Sequence, residues 1–110
     1  MKIYVDIDET ICQTIGSSDL PRDYSTAQPI MENIKACNEY YDNGHEITYW
    51  TARGTETGID WSEVTRQQFD TWGVKYHKLM FGKPSYDLFI DDKVLNTKRW
   101  EENARCLPEA

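Results

Sequence analysis

The chain has 110 residues, of which 39% are hydrophobic and 13% aromatic, so it can fold around a single core and is too short for two. Its 19 acidic and 12 basic residues give a formal charge of -7, which provides no general attraction to nucleic acids or anionic membranes. Nucleic-acid and membrane partners are therefore not expected.

The three cysteines, Cys12, Cys37 and Cys106, are odd in number and widely spaced, and no CxxC occurs. This pattern is typical of reduced thiols in the cytoplasm and not of a disulfide framework or a zinc site. No run of 18 apolar residues is present, and the first residues do not form a signal sequence. We therefore expect a cytoplasmic protein with one domain, residues 1–110.

The first half of the chain predicts a strand, an irregular stretch, a helix and a second strand. Apolar residues run almost continuously over 3–7 and 47–50, which indicates strands covered on both faces. Residues 13–28 are rich in turn formers, so they predict a surface loop or a short hairpin. Apolar residues recur at helical spacing from Ile30 to Tyr41 and predict a helix that ends at Asn43-Gly44.

The second half continues the alternation of helices and strands. A stripe from Trp61 to Trp72 predicts a helix ended by Gly73, and residues 74–77 form a weaker strand candidate. Residues 86–90 predict a further buried strand, and residues 96–105 a last helix. This order predicts an α/β fold, a Rossmann-like parallel sheet with helices on both faces in three layers.

Acidic residues follow the predicted strands at their carboxyl ends, where open α/β sheets bind ligands. Asp6 and Asp8 lie two residues apart on one strand and therefore share a face, while Asp91 and Asp92 follow the last strand. A carboxylate pair alone is also compatible with glycoside hydrolysis, which needs no metal. The four acids together instead predict a cation, and hard oxygen ligands favour Mg²⁺.

Two further residues favour a phosphorylated ligand over an uncharged sugar. Thr51 ends the second predicted strand, and Lys83 precedes the last one, so both can donate hydrogen bonds to phosphate oxygens. Lys78 is the alternative phosphate lysine, but the GKP sequence before Asp91 favours Lys83. A neutral sugar would leave this lysine unexplained.

Four ordered motifs resemble those of the haloacid dehalogenase (HAD) superfamily of phosphatases. The similarity runs from residue 3 to residue 93 and includes the DIDET of residues 6–10, Thr51 in YWTARG, Lys83 in GKPSYD, and Asp91 and Asp92 in FIDDK. A single DxDxT would be much less specific. The resemblance implies a HAD-like fold and hydrolysis of a phosphate monoester.

The resemblance also implies roles for individual residues. Asp6 would be the nucleophile that forms an aspartyl-phosphate, and Asp8 the general acid and base. Thr51 and Lys83 would hold the phosphoryl group. Apart from the resemblance, Arg53 is either a surface arginine or a residue that grips a substrate carboxylate or phosphate beside Thr51, and Thr10 is a further residue expected to contact the substrate. Mg²⁺ would be bound by Asp6, the main-chain carbonyl of Asp8, and the acids Asp91 and Asp92, whose division between direct and indirect ligation stays open.

The chain also departs from the family pattern. Glu9 stands where many members have glycine, so the tighter backbone of glycine is not expected here, and its side chain faces either solvent or the site. Neither insertion point for a cap domain holds enough residues for one, so we expect a capless enzyme.

The substrate expected first is a sugar phosphate or similar small metabolite, with a neighbouring subunit of a homo-oligomer as a possible lid. The alternatives are a phosphatase acting on nucleic-acid ends or phosphoproteins, and a non-enzymatic HAD-like domain that binds a phosphorylated ligand or serves as a scaffold. Asp6 and Asp8 are both present, which favours the enzyme over the domain without activity.

Overall fold

A computed structural model describes residues 1–14 and 22–108 of the chain. The elements in chain order are β1 Lys2–Val5, β2 Cys12–Gln13, a 3₁₀ turn Tyr24–Thr26, β3 Gln28–Pro29, α1 Met31–Asp42, β4 Glu46–Trp50, α2 Ser62–Trp72, β5 Lys78–Met80 and α3 Thr97–Glu102. None of the described helices has the length and apolar character needed to span a bilayer.

The main sheet has three parallel strands in the order β1, β4, β5. In the pairing of β1 with β4, Ile3 lies beside Ile47 and Val5 beside Tyr49. The α/β class and the parallel sheet predicted from the sequence are confirmed. Because the strands are parallel, the chain segments that follow them emerge at one edge.

Helices α1 and α2 cover the same face of the sheet. The Tyr49 ring packs edge-on against Phe69 of α2, with centroids 5.0 Å apart, and its hydroxyl lies beside the Cys37 thiol of α1. On the opposite face, Tyr4 is 59% exposed and Met80 41%. The finer prediction of helices on both faces is therefore not confirmed for the described residues.

Local signals explain where the helices begin and end. The chain leaves α2 at Gly73, whose φ of +70° is the left-handed conformation that glycine adopts at helix ends. Asn96 caps α3, its side chain accepting a hydrogen bond from Lys98 N. Trp100 of α3 is buried, and its indole N–H donates to the Tyr40 hydroxyl of α1 at 2.8 Å. The third helix thus packs beside the first.

The irregular stretch 13–28 begins and ends in a small antiparallel pair, in which Gln13 lies opposite Gln28. The alternative of a short hairpin is therefore borne out at its two ends. Gln68 of α2 donates to Tyr24 O at 2.7 Å, so the described part of the stretch is fastened to α2. Residues 15–21 of the predicted loop lie outside the described residues.

Two predicted strands differ from the structure. The weak strand expected at 74–77 is displaced along the chain, since β5 begins only at Lys78. His77, the residue before it, donates its main-chain N–H to Ile47 O. The strand expected at 86–90 is absent: Leu88 is 75% exposed and Ile90 89%. Its apolar sequence is suited to a buried strand, but the described chain pairs it with no neighbour.

Candidate active site

Asp6 and Asp8 lie where β1 ends and the chain turns. Ile11 N donates to Ile7 O at 2.9 Å, which closes the turn and directs the chain toward β2. Glu9 adopts a φ of +64° within this turn. The expectation that Glu9 excludes a glycine-like backbone is therefore wrong, and the left-handed conformation is reached at a cost that glycine avoids. The Glu9 carboxylate is exposed and accepts from the Thr14 hydroxyl at 2.8 Å.

Asp6 is paired with Lys83. Lys83 Nζ lies 3.7 Å from Asp6 Oδ1, and the lysine side chain is 13% exposed against 41% for the aspartate. Burial raises the pKa of Asp6 above its usual value, and the nearby ammonium of Lys83 opposes this rise. Asp6 Oδ1 also accepts from Ile7 N at 2.9 Å. The carboxylate thus combines partial burial with a cation and one open side.

Main-chain contacts hold Lys83 at the carboxyl edge of the sheet. Lys83 N donates to Thr51 O at 3.1 Å, and the Thr55 hydroxyl donates to Lys83 O at 2.8 Å. The ammonium lies over the rings of Trp50 and Tyr86, at 5.8 and 5.5 Å from their centroids. The alternative residue Lys78 instead pairs with Glu46 and is 62% exposed. Of the two lysines, Lys83 is the one beside Asp6.

Asp8 is held by the guanidinium of Arg53. Arg53 Nε donates to Asp8 Oδ2 at 3.0 Å, and the terminal NH2 group donates to Oδ1 at 2.9 Å. The Arg53 side chain is fully buried, while that of Asp8 is 14% exposed. Two parallel bonds of this kind fix the plane of the carboxylate as well as its position. Arg53 is therefore a positioning residue for Asp8.

All five N–H groups of Arg53 have partners within the protein. Besides Asp8, they donate to the Thr65 hydroxyl at 3.0 Å, to Gln68 Oε1 at 2.6 Å and to Cys12 Sγ at 3.7 Å. The guanidinium also lies 4.9 Å from the centroid of the Tyr24 ring. In this arrangement no donor is left for a ligand, which corrects the expectation that Arg53 contacts the substrate.

Cys12 lies against the same carboxylate. Its thiol donates to Asp8 Oδ1 at 3.4 Å and is completely buried. Burial, followed by the charge of Asp8, raises the pKa of Cys12 to about 12. The side chain is therefore a neutral thiol at physiological pH and unsuited to act as a nucleophile.

The two threonines of the predicted site are placed differently. The hydroxyl of Thr51 is fully buried and accepts from Arg53 N at 3.1 Å, which leaves its own hydrogen free to donate. Thr10 is half-buried, and its hydroxyl lies 3.0 Å from that of Thr97 at the start of α3. Their contacts with a substrate stay predictions.

Asp91 and Asp92 are not brought to Asp6. Both are exposed and belong to the irregular segment that precedes α3. A hydrogen bond from Lys93 N to its carboxylate lowers the pKa of Asp91. Among residues 1–14 and 22–108, no three His, Cys, Asp or Glu side chains converge on a point that could hold a metal ion. The magnesium site with Asp91 and Asp92 stays a prediction.

A cavity of about 400 Å³ opens beside the carboxyl edge of the sheet. Its lining includes the predicted residues Asp6, Asp8 and Arg53, together with Arg22, Tyr24 and Trp61, which were not predicted for the site. The Tyr24 and Trp61 rings meet edge to face, with centroids 5.1 Å apart, and form one wall. Tyr24 is an aromatic residue in a polar loop, and this was the one signal in the sequence for a wall of the cavity. Its partner Trp61 is distant in sequence, so their contact could not be predicted.

One solved structure resembles this chain over nearly its whole length. A crystal structure of an MCSG target from Vibrio cholerae is 27% identical, with a TM-score of 0.78, and the alignment covers 96% of this chain and 95% of that chain. No protein-family model matches the sequence, and a search of curated proteins found no match. The comparison supports the fold, so any function must be argued from the site.

Proposed function

We propose that this protein is a capless phosphatase of the HAD type, which hydrolyses a small phosphate monoester through an aspartyl-phosphate at Asp6. The observation that carries the proposal is the pairing of Asp6 with Lys83 at 3.7 Å, beside an Asp8 held by Arg53. These groups lie at the carboxyl end of a parallel sheet, where α/β folds bind ligands. The four ordered motifs, which include Asp6, Asp8 and Lys83, support the same chemistry from the sequence.

In the first step, an Asp6 carboxylate oxygen attacks phosphorus, and the bond from phosphorus to the ester oxygen breaks. Asp8 gives the departing oxygen its proton. Of the two Asp8 oxygens, Oδ2 accepts from Arg53 Nε alone, whereas Oδ1 also accepts from the NH2 group and Cys12, so Oδ2 is the better position for the proton. The Lys83 ammonium stabilises charge on the phosphoryl oxygens.

In the second step, water attacks phosphorus and the bond to Asp6 breaks, which releases inorganic phosphate and restores the carboxylate. Asp8, now ionised, takes the proton of the attacking water. Because Arg53 has no free N–H group, its contribution is to keep Asp8 within reach of both oxygens in turn. A positioned acid and base of this type contributes roughly 10²- to 10⁴-fold to the rate.

Asp6 has the hard oxygen donors that Mg²⁺ prefers, and its side chain is 41% exposed at the cavity. The ion would be held by Asp6 and the main-chain carbonyl of Asp8, and Asp91 or Asp92 would complete its shell only if brought to Asp6 from the exposed segment in which they lie. When bound, it supplies positive charge opposite the phosphoryl oxygens.

The cavity supports a small substrate. Its volume of about 400 Å³ is within the range of roughly 300–1,000 Å³ typical of small-molecule sites. The net charge of -7 disfavours nucleic-acid ends. A sugar phosphate or similar metabolite fits best, with Arg22 as a candidate contact for its polar part, in place of Arg53.

The test is phosphate release from a panel of sugar phosphates, phosphopeptides and 5′-phosphorylated oligonucleotides, with and without Mg²⁺. We expect magnesium-dependent turnover of one or more small esters. Asp6→Asn should lower kcat by on the order of 10⁴-fold or more, because an amide is a poor nucleophile. Asp42→Asn, the same change in an exposed acid outside the cavity, serves as the matched control and should retain full activity.

Full activity of Asp6→Asn would contradict the proposed chemistry. Binding of phosphate esters without turnover of any of them would instead identify a phospholigand-binding domain. A strong preference for oligonucleotides or phosphopeptides would overturn the substrate class while leaving the role of Asp6 intact.

A further inference from the structure

An exposed apolar segment separates Lys83 from α3. We call residues 86–95 the apolar segment; its large side chains are exposed by 41–89%, with Leu88 at 75% and Ile90 at 89%. Contiguous apolar surface on this scale marks an interaction site on most soluble proteins. Residues 86–90 also have the sequence of a strand buried on both faces.

The sheet has a free edge that can accept such a strand. Within the described residues, β1 pairs only with β4, so the main-chain N–H and C=O groups on its other side have no strand partner. Tyr4, in the middle of β1, is 59% exposed. Open edges of this kind readily pair with a strand from another chain.

The apolar segment matches β1 residue by residue in one parallel register. Placing Phe89 beside Tyr4 sets Leu88 beside Ile3 and Ile90 beside Val5. Ile3 and Val5 pair with Ile47 and Tyr49, so the aliphatic residues of the added strand would extend the face that α1 and α2 cover. The pairing is apolar throughout its centre.

Both ends of this register carry charged residues, and at the amino end the two charges are opposite. Asp87 falls beside Lys2, an exposed lysine at the start of β1. Asp91 falls beside Asp6, at the carboxyl edge where the proposed magnesium site needs a further carboxylate. An antiparallel arrangement would instead carry Asp91 to the amino end, away from Asp6.

The chain cannot supply this strand to its own sheet. Lys83 is fastened beside Thr51, which is level with Ile7 in the register of the sheet. The four residue steps from Lys83 to Asp87 span at most about 14 Å. The position beside Lys2 lies five residues back along the sheet, roughly 17 Å, and three strand spacings across from Lys83, which is on the β5 side of β4, so the separation is roughly 22 Å.

We propose that a second copy of this chain supplies residues 87–91 as a parallel strand on the free edge of β1. Two copies exchange their apolar segments, and the Asp91 of each completes the site built around the Asp6 of the other. The catalytic part of this inference rests on the proposed function, whereas the exchange itself does not. Exchange of an identical element is a common route to symmetric dimers.

The exchange would cover the most exposed part of the apolar segment. Leu88, Phe89 and Ile90, the centre of the added strand, are exposed by 75%, 41% and 89%. In a symmetric dimer both segments and both receiving edges are buried, so this apolar surface is removed from water twice.

A disulfide tests the register and the exchange without any assay of activity. In a Cys106→Ser background, which removes the exposed thiol, the pair Tyr4→Cys and Phe89→Cys places two cysteines opposite each other. Adjacent parallel strands have Cα atoms about 4.8 Å apart, within the range that a disulfide spans. Mild oxidation should give a covalent dimer of twice the chain mass on a non-reducing gel.

The matched control moves one cysteine to the opposite edge of the sheet. Met80 of β5 is 41% exposed and faces the same side as Tyr4, so the pair Met80→Cys and Phe89→Cys should remain uncrosslinked under the same oxidation. A monomer with an internal disulfide in the Tyr4 and Phe89 variant would overturn the exchange, as would a wild-type chain that sediments as a monomer at all concentrations.

Mixed dimers then test whether the partner completes the site. Asp6→Asn and the double variant Asp91→Asn, Asp92→Asn should each be inactive alone. Refolded together in equal amounts, they should recover about a quarter of the wild-type activity, because half of the dimers are mixed and each holds one intact site. No recovery in a refolded mixture that sediments as dimers would refute the shared site.

The two proposals fail differently. Crosslinked dimers without phosphatase activity in the wild type would leave the exchange standing and remove the proposed function. A wild type that is active and strictly monomeric would leave the proposed function standing and remove the exchange.

Discussion

At the scale of single residues, the contact between Arg53 and Asp8 is the best-defined feature of the site. A buried guanidinium is tolerated only when its charge is balanced and its donors are used, and Arg53 meets both conditions. Arg53, which was expected from the sequence to contact the substrate, therefore positions the carboxylate of Asp8 instead. Its neighbour Lys83 is the cation that remains beside the open carboxylate.

Replacing Arg53 with methionine should destabilise the protein by about 3 kcal/mol, since it leaves Asp8 without its partner in a largely buried position. The free energy of unfolding in urea measures this change. Lys75→Met removes one member of the exposed pair with Asp42 and should cost at most about 1 kcal/mol. Equal losses of unfolding free energy in the two variants would show that burial does not strengthen the contact between Arg53 and Asp8.

At the scale of elements, the loop that follows β4 fixes the direction in which Arg53 points. Gly54 adopts a φ of +81°, and a Cβ built there would lie 2.1 Å from Ile59 O, a main-chain atom of the same loop. Such a contact cannot be relieved by turning a side chain. Gly54 therefore allows the loop to fold back against itself directly after Arg53.

Gly54→Ala should lower the free energy of unfolding by roughly 3 kcal/mol or more, combining a left-handed alanine with displacement of the main chain. Gly58 provides the control, because it has a similar φ of +77° but nothing within 4 Å of its Cβ position. Gly58→Ala should cost only about 1–2 kcal/mol. Thermal or urea unfolding of both variants checks the difference, and equal costs would exclude a role for the close approach to Ile59.

At the scale of the whole molecule, the proposed exchange makes stability depend on protein concentration. A dimer that forms only from folded chains is stabilised by mass action, so Tm should rise by about 3 °C for each tenfold increase in concentration. Differential scanning calorimetry over a hundredfold range tests this.

Ile90→Lys should abolish the concentration dependence of Tm, because it puts a charge in the centre of the added strand. Ile59→Lys changes another exposed isoleucine outside the apolar segment and should retain the dependence. A wild-type Tm that is constant over the whole range would contradict a dimer held together by the exchanged strands.

Several features could be predicted because their signals are local. Helical spacing between Ile30 and Tyr41 predicted α1, and Gly73 marked the end of α2, since both depend on residues within a few turns of each other. The apolar runs near Ile3 and Ile47 predicted β1 and β4, which pair with each other in the main sheet. Asp6 and Asp8 followed from the same reasoning, because a strand and its carboxyl end are adjacent in sequence.

Other features depend on contacts between distant parts of the chain. Arg53 and Asp8 are 45 positions apart, and no local pattern distinguishes an arginine that holds an acid from one that holds a substrate. Residues 86–90 have the sequence of a buried strand, yet a strand forms only where an edge lies within reach of the chain. The apolar sequence of residues 86–90 favours burial in a sheet. The attachment of Lys83 beside Thr51 and the free edge of β1 exist only in the folded molecule. Tertiary structure alone therefore decides where this strand can pair.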